Sequence, residues 1–171
     1  PEMAEAFDAI ACPGMTANFD AAKSAAMAIT MLDWRDHGQA YAAKMIEVAQ
    51  GLAAGLKARG VPVFETAQGA TSSHQFAIKA AAYGGGQTAS KHLRKAGFLA
   101  CGIGLPIEPV AGDMNGLRIG TPELTRWGVD MGDVDQMCDL IAEALEGQDP
   151  TSMVPRVRDW RETFKTLHYI T

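Results

Sequence analysis

The sequence predicts an α+β fold in which two long helices are followed by short strands interleaved with further helices. Apolar residues recur at helical spacing over residues 21–60. From residue 61 onward the pattern changes to short runs of β-branched and apolar residues, separated by clusters of glycine, proline and serine. This order of elements is typical of α+β domains, and the sequence contains no internal repeat of about 20–50 residues.

The composition restricts the class of protein. With 171 residues, of which 47% are hydrophobic and 20% charged, the chain is long and apolar enough to bury a core. The net charge is −5, whereas nucleic-acid binding depends on clustered Lys and Arg, so we expect no nucleic-acid partner. The longest apolar run without charge, Gly97–Ile107, contains glycines and a proline and is too short to cross a membrane. We therefore expect no membrane partner.

The cysteines are Cys12, Cys101 and Cys138, an odd number at spacings that match no zinc site. We expect them to be reduced and mostly buried, as in a cytoplasmic protein. The chain begins at Pro1 rather than at an initiator methionine, and we expect it to be a piece of something longer.

Two long helices are predicted first, after a Pro-Gly turn that ends the first fifteen residues. Met27, Met31 and Trp34 stand at helical spacing and predict a helix over residues 21–35, in which the methionines pack. The second helix is expected to end at Gly60 in a left-handed conformation. The sequence leaves open whether the two helices join into one.

Short strands and helices are predicted in the rest of the chain. The strand segments are Val61–Thr66, His74–Ala80, Phe98–Cys101 and Gly116–Gly120. Between the second and third segments, Thr88 is the predicted N-cap of a helix that ends at Gly97.

Three helices are predicted after the last strand. Thr121 followed by Pro122 predicts the start of a short helix, because proline is favoured at the first helical position. Asp130 is the predicted N-cap of the next helix, whose apolar stripe includes Cys138, and we expect that thiol to be inert. A final helix is predicted over residues 153–167.

Histidines and glycine-rich segments give no specific motif. No two of the four histidines stand three or four residues apart, so no metal site is predicted. His74 is expected to be a hydrogen-bonded structural residue at the start of its strand. Residues 84–86 and 102–104 match no Walker or dinucleotide spacing and are interpreted as flexible loops. No nucleophile with a local signature is present, and no catalytic residue is predicted on this chain.

Arg118 is the residue that most strongly indicates a ligand. It lies in a strand otherwise made of Gly, Leu and Ile, and glycines on both sides let another chain or a ligand come close. An unpaired guanidinium in apolar surroundings is unfavourable, and a carboxylate fits its planar fork best. The alternative from the residues themselves is an outward-facing arginine on an edge strand.

One segment of the sequence resembles a known family. Gly116–Gly128, which reads GLRIGTPELTRWG, resembles the G-(I/L)-R-(I/V/L)-G-T-P-x-(I/L/M)-T-x-R-G block of serine hydroxymethyltransferases. These are pyridoxal-phosphate enzymes with the aspartate-aminotransferase-like fold. Cys12–Met15 is similar to the family's F-P-G segment, and Gly69–His74 is similar to its G-G-T-D-N-H segment. The likeness extends from about Phe7 to Leu145.

The resemblance implies roles for particular residues. Arg118 matches the arginine that binds the substrate α-carboxylate. Ala17 and Asn18 match glycines that bind the cofactor phosphate of the neighbouring subunit, so their backbone N–H groups are expected to bind the phosphate of pyridoxal 5'-phosphate. The family's loop before the arginine carries an asparagine that binds folate. The corresponding stretch, Cys101–Pro106, has no asparagine, which makes tetrahydrofolate a doubtful cofactor.

The resemblance also implies what lies outside this chain. The lysine that binds the cofactor precedes the F-P-G segment in the family, so this chain is expected to be inactive by itself and completed by a missing large domain or partner chain. Residues 1–20 would end the large domain, residues 21–60 would form the connecting helices, and residues 61–171 would form the small C-terminal domain with a short, mostly antiparallel sheet. The complete enzyme is expected to be a cytoplasmic homodimer.

Three functions follow as alternatives. The first is the C-terminal portion of a serine hydroxymethyltransferase-like enzyme that acts on serine, glycine or a related β-hydroxy amino acid. The second is a folate-independent enzyme of the threonine aldolase or transaldolase type. The third is a non-catalytic module that binds or regulates a lysine-bearing partner.

Overall fold

The structure is a computed structural model that describes residues 2–15 and 20–171. The chain forms two compact units, the first made of residues up to Asp36 together with Thr171 and the second of His37–Ile170. Within the described residues, no helix combines the length and the apolarity needed to cross a membrane. The second unit contains the sheet and positions the candidate site.

The first unit is helical. Helix α1 (Glu2–Ala9) is followed by Ile10–Met15, a π-helical segment with a kink at Cys12, whose backbone is extended, next to the turn that the sequence predicted. The first part of α2 (Ala21–Ala58) completes the unit. Met27 and Met31 are 57% and 63% exposed, so the predicted packing of these two side chains is wrong for the described part of the chain.

Helix α2 is continuous over 38 residues, and the two helices predicted from the sequence therefore join into one. Its second half turns an apolar face to the core, where Val48, Leu52 and Leu56 are fully buried. Beyond the end of the helix, Gly60 has a φ of +85°, the left-handed conformation that the sequence predicted.

The sheet has three antiparallel strands, β1 (Gln75–Lys79), β2 (Cys101–Ile103) and β3 (Gly116–Gly120). Their order is β1-β3-β2, so β3 is the central strand. Leu117 and Ile119 of β3 belong to the hydrophobic core, because alternate residues of a strand point to opposite faces of its sheet.

Four further helices complete the second unit. They are α3 (Gly86–Ala96), α4 (Pro122–Arg126), α5 (Val134–Glu146) and α6 (Val154–Arg161). One hydrophobic cluster joins the second half of α2 to strands β1 and β3 and to helices α3, α5 and α6. The α+β fold with a small antiparallel sheet is thereby confirmed.

Two predicted strands differ from those observed. Residues 61–66 form only one bridge to the sheet, between Val63 and Ile78, and the proline beside it has no N–H to extend the ladder. The segment predicted from Phe98 enters the sheet only at Cys101. The reason is that the Phe98 N–H donates to the Leu93 carbonyl and closes the end of α3.

Two helix boundaries also differ. Helix α5 begins after Asp133, whereas the predicted cap, Asp130, accepts a hydrogen bond from the N–H of Gly132 at 2.8 Å. The last helix ends at Arg161 rather than at residue 167, because the chain then closes a tight turn in which the Phe164 N–H donates to the Arg161 carbonyl.

The N-terminus of α3 is capped by a residue distant in sequence. The sequence predicted Thr88 as the cap, but the helix begins at Gly86. Asp113 accepts hydrogen bonds from the N–H of Gln87 at 2.8 Å, from the N–H of Thr88 at 2.9 Å and from the Thr88 hydroxyl at 2.7 Å. These bonds favour the ionised carboxylate and lower the pKa of Asp113 to about 2.

Helix α3 approaches the sheet at backbone distance. A Cβ on Gly86 would lie 2.0 Å from the carbonyl oxygen of Gly116, and a Cβ on Gly102 would lie 2.8 Å from the nitrogen of Gln87. Both positions therefore require glycine. This contact fixes the start of α3 against β2 and β3.

The end of β3 is tied to α2 and β1 through Thr121. This residue is fully buried, and its hydroxyl lies 2.7 Å from the carbonyl oxygen of Met45 and 3.0 Å from that of His74. Tyr41 adds a hydrogen bond from its hydroxyl to the carbonyl of Pro122 at 2.9 Å. Thr121 therefore lies at the helix start, as predicted, but its hydroxyl joins other elements rather than capping α4.

Two buried threonines four residues apart give a stability test. The hydroxyl of Thr121 is hydrogen-bonded, whereas the buried hydroxyl of Thr125 has no partner in the described residues. Thr121→Val should lower the free energy of unfolding by about 1–3 kcal/mol, because it removes these bonds at constant shape. Thr125→Val should leave the free energy unchanged or raise it. Urea unfolding monitored by circular dichroism measures both variants. Equal losses in the free energy of unfolding would contradict the difference in hydrogen bonding between the two hydroxyls.

The cap of α3 gives a pH dependence. The pKa of Asp113 in the folded state, about 2, lies below the ordinary value of 3.8. Its ionised form therefore stabilises the fold above about pH 4, and this contribution disappears as the pH falls through 2. The stability difference between the unchanged chain and Asp113→Asn should shrink over that window in urea titrations. Glu108→Gln, which removes an exposed carboxylate without such bonds, serves as the control and should show no such trend.

Candidate functional site

Arg118 lies in the middle of the central strand, on the face of the sheet opposite to the core. Its neighbours Leu117 and Ile119 are buried, whereas Arg118 is exposed. Arg118 therefore faces outward, as in the alternative that the sequence left open, but it does not lie on an edge strand as that alternative supposed, since β3 pairs on both sides.

The residues beside Arg118 on its face of the sheet are small. The positions directly opposite it are Ala77 on β1 and Cys101 on β2. Because these side chains are short, the neighbouring strands do not cover the exposed side chain of Arg118.

An open pocket lies at this face of the sheet. Its volume is about 510 Å³, within the range of small-molecule sites. The lining residues are His74, Gln75, Leu99, Ala100, Cys101, Arg118, Gly120, Pro122 and Glu123. They come from β1, from the segment that leads into β2, and from the junction of β3 with α4.

The guanidinium of Arg118 has no ion pair or hydrogen bond within the described residues. Glu123 is the carboxylate among the lining residues, and its Oε1 accepts a hydrogen bond from the indole N–H of Trp127 at 2.8 Å. By contrast, Arg59 is bound to two aspartates at 2.6 Å. Arg118 is therefore a cation available to an anion from outside this part of the chain.

The two glycines that flank Arg118 have different surroundings. A Cβ on Gly120 would meet nothing closer than 3.6 Å, at Pro122. A Cβ on Gly116 would lie 2.6 Å from the side chain of Leu105. Close approach of a ligand is therefore open on the Gly120 side, whereas the chain's own leucine fills the space on the Gly116 side.

His74 differs from its expected role. The sequence predicted a hydrogen-bonded structural residue, but the imidazole is exposed in the pocket and has no hydrogen-bond partner in the described segments. Only its backbone is held, because its carbonyl accepts from the N–H of Thr121 at 2.9 Å. The structure thus brings His74 and Arg118 to one pocket, which sequence spacing did not show.

The other sequence-predicted residues lie elsewhere. Ala17 and Asn18, predicted to bind the cofactor phosphate, lie outside the described residues. Cys138 is buried, and burial raises the pKa of its thiol to about 11, in agreement with an inert role. Cys12 is exposed and Cys101 half-buried, so the expectation of mostly buried thiols is wrong for these two.

Sequence reasoning missed Gln75 and Glu123 as lining residues. The sequence indicates Glu123 only as a residue of the predicted helix start. Gln75 pairs with Gly120 across β1 and β3, and the signal that could have found it is the alternation of β1, which places Gln75 and Ala77 on one face. Without the strand register, that alternation does not reveal which residue lies beside Arg118.

Comparison with known proteins identifies relatives of known activity, although no protein-family profile matches the chain. The chain is 51% identical over 170 residues to an α-methylserine aldolase of a Ralstonia species, covering 99% of this chain and 39% of the relative. An α-methylserine aldolase of Variovorax paradoxus is 55% identical over 166 residues, with 97% and 37% covered. A serine hydroxymethyltransferase of Pyrobaculum aerophilum is 30% identical over 168 residues, with 98% and 39% covered.

A solved structure shows the same fold. The crystal structure of L-threonine transaldolase from Pseudomonas fluorescens in the internal aldimine state has a TM-score of 0.79 at 23% identity. It matches 93% of this chain and 36% of the other chain. The small-domain fold of the pyridoxal-phosphate enzymes that the sequence predicted is thereby confirmed.

The resemblance stated from the sequence is confirmed as well. Homologues of this chain are α-methylserine aldolases and serine hydroxymethyltransferases, and the chain corresponds to their C-terminal part. It spans less than two fifths of the length of the curated relatives described above.

Proposed function

We propose that this chain is the C-terminal portion of a pyridoxal-phosphate-dependent enzyme that acts on serine, glycine or a related β-hydroxy amino acid, and that Arg118 binds the substrate carboxylate. The observation that supports this role is the guanidinium on the central strand, which has no partner among the described residues and faces a pocket of about 510 Å³. The homology to α-methylserine aldolases and serine hydroxymethyltransferases supports the reaction class.

Among the reactions of this class, folate-independent cleavage of a β-hydroxy amino acid is favoured. The α-methylserine aldolases are 51–55% identical to this chain, whereas the serine hydroxymethyltransferase of Pyrobaculum aerophilum is 30% identical. The stretch Cys101–Pro106 also lacks the asparagine that the resemblance associates with folate. In such a cleavage the β-hydroxyl loses its proton, the Cα–Cβ bond breaks, the β-carbon leaves as an aldehyde, and Cα gains a proton.

The contribution of Arg118 to this reaction is orientation. A guanidinium holds a carboxylate through two parallel N–H···O bonds, which fixes the plane of the carboxylate. When the substrate amine is held at a second point outside this chain, a fixed carboxylate restricts rotation of Cα and therefore the direction of the Cα–Cβ bond. Restriction of this kind lowers the entropic part of a reaction barrier.

The pocket of Arg118 does not by itself fit the cofactor. Among the described residues, no lysine lines this pocket, and covalent binding of pyridoxal phosphate requires a lysine amine. We therefore assign to this chain the substrate carboxylate site, and to residues outside it the lysine. Backbone N–H groups of Ala17 and Asn18 are the proposed contribution of this chain to the phosphate, in a homodimer of the complete enzyme.

Replacement of Arg118 tests the carboxylate site. In the complete enzyme, Arg118→Ala should lower kcat/KM for the amino-acid substrate by about 10–100-fold, because charge-assisted hydrogen bonds are lost. Arg118→Lys should give an intermediate loss, since it keeps the charge without the fork. Steady-state kinetics measure both. Arg94→Ala removes an exposed arginine that does not line the pocket and is the control. Unchanged kinetics in Arg118→Ala would disprove the role.

Addition of folate tests the reaction type. Formaldehyde release from serine and from α-methylserine should proceed at the same rate with and without tetrahydrofolate, because the stretch Cys101–Pro106 lacks the asparagine that the resemblance associates with folate. A coupled formaldehyde assay on the complete enzyme measures this. A rate that depends on added tetrahydrofolate would instead support the hydroxymethyltransferase reaction.

A further inference from the structure

We infer that Gln75 is a second carboxylate-binding residue, whose side-chain N–H donates a hydrogen bond to the carboxylate held by Arg118. This inference rests on the proposed function, since it extends the site of Arg118 by one residue. Its consequence is that specificity for a substrate acid depends on two donors of different kinds, one charged and one neutral.

Register places the two side chains within reach of each other. Gln75 pairs with Gly120 and Arg118 pairs with Ala77, so Gln75 is a diagonal neighbour of Arg118 on the same face of the sheet. Diagonal neighbours in antiparallel sheets lie about 7–8 Å apart, which long side chains span. Both residues line the same pocket.

The amide of Gln75 is available for a ligand. It is half-buried, and its side chain has no hydrogen bond within residues 2–15 and 20–171. Its backbone, in contrast, is fixed, because its carbonyl accepts a hydrogen bond from the hydroxyl of Thr71 at 2.6 Å. A partly desolvated amide without a partner gains most from a ligand that accepts its proton.

The space around Arg118 directs an anion to the side of Gln75. On the opposite side, Leu105 lies over Gly116 and occupies the surface of the sheet. On the Gln75 side, the cross-strand partner is Gly120, where even a Cβ would meet nothing closer than 3.6 Å, so this side is less crowded than the Gly116 side. A carboxylate bound to Arg118 therefore lies above Gly120, beside the amide of Gln75.

Lys79 provides a matched comparison on the same strand. It lies on the same face as Gln75, at the same register distance from Arg118, and pairs with Gly116. It does not line the pocket, because Leu105 fills the space above its partner. A cation at this position should therefore contribute little to carboxylate binding, although it carries the more favourable charge.

The test compares Gln75→Met and Gln75→Glu with Lys79→Met in the complete enzyme. Gln75→Met keeps the length of the side chain and removes the donor, and it should raise both the Kd of glycine and the KM of the substrate by about tenfold. The kcat should change less than twofold, since a contact made equally in ground and transition states affects KM. Gln75→Glu should weaken binding further through repulsion of the carboxylate. Lys79→Met should leave the Kd of glycine unchanged.

Glycinamide separates a binding role from a structural one. It is uncharged and offers one carbonyl oxygen, whereas both oxygens of the glycine carboxylate share the negative charge and keep a lone pair for Gln75 after Arg118 has bound them. Equilibrium dialysis should therefore show that Gln75→Met weakens glycine binding but changes the Kd of glycinamide less than twofold. Equal weakening of both ligands, or a lowered thermal midpoint that accompanies the loss, would assign Gln75 a structural role and overturn the inference.

The result for Arg118→Ala distinguishes a failure of the inference about Gln75 from a failure of the proposed carboxylate site. If Arg118→Ala weakens glycine binding and Gln75→Met does not, the inference about Gln75 is wrong and the proposed function stands. If neither substitution weakens binding, the proposed carboxylate site itself is wrong.

Discussion

Within the residues that the structure describes, the guanidinium of Arg118 is unpaired, and two features of the fold contribute to this. The alternation of strand β3 directs Leu117 and Ile119 into the core and leaves the arginine on the opposite face. The carboxylate that lines the same pocket, Glu123, is held by the indole of Trp127. A strand that pairs on both sides cannot rotate without losing two ladders of hydrogen bonds, so the position of the charge is determined by the whole sheet.

The segment after β3 links this position to the rest of the second unit. The hydroxyl of Thr121 joins the end of β3 to the long helix and to the start of β1, and Tyr41 holds the next residue. Because His74 and Gln75 belong to the same start of β1, these bonds also fix the opposite wall of the pocket. The residues of the site thus share one set of anchoring hydrogen bonds, which connects the geometry of the pocket to the packing of α2.

The parts of the fold that depend on local patterns could be predicted from the sequence, and the parts that depend on distant contacts could not. The outward position of Arg118 and the helix start at Pro122 follow from alternation and from the preference of proline for the first helical position. The cap of α3 could not be found, because Asp113 lies 25 residues from Thr88. Gln75 was missed for a related reason, since its place beside Arg118 depends on strand register.

The glycines where the start of α3 meets the sheet restrict how this site can be altered. Backbone meets backbone at Gly86 and Gly102, so neither position has room for even a methyl group. A mutational library that aims to change the shape of the pocket should therefore leave this junction untouched and vary the pocket wall, for example at Leu99, which is 88% exposed. No side chain separates the helix from the sheet at this point, so no side chain there can repack in response to a substitution. The helix and the strands beneath it are therefore expected to shift only as one rigid piece.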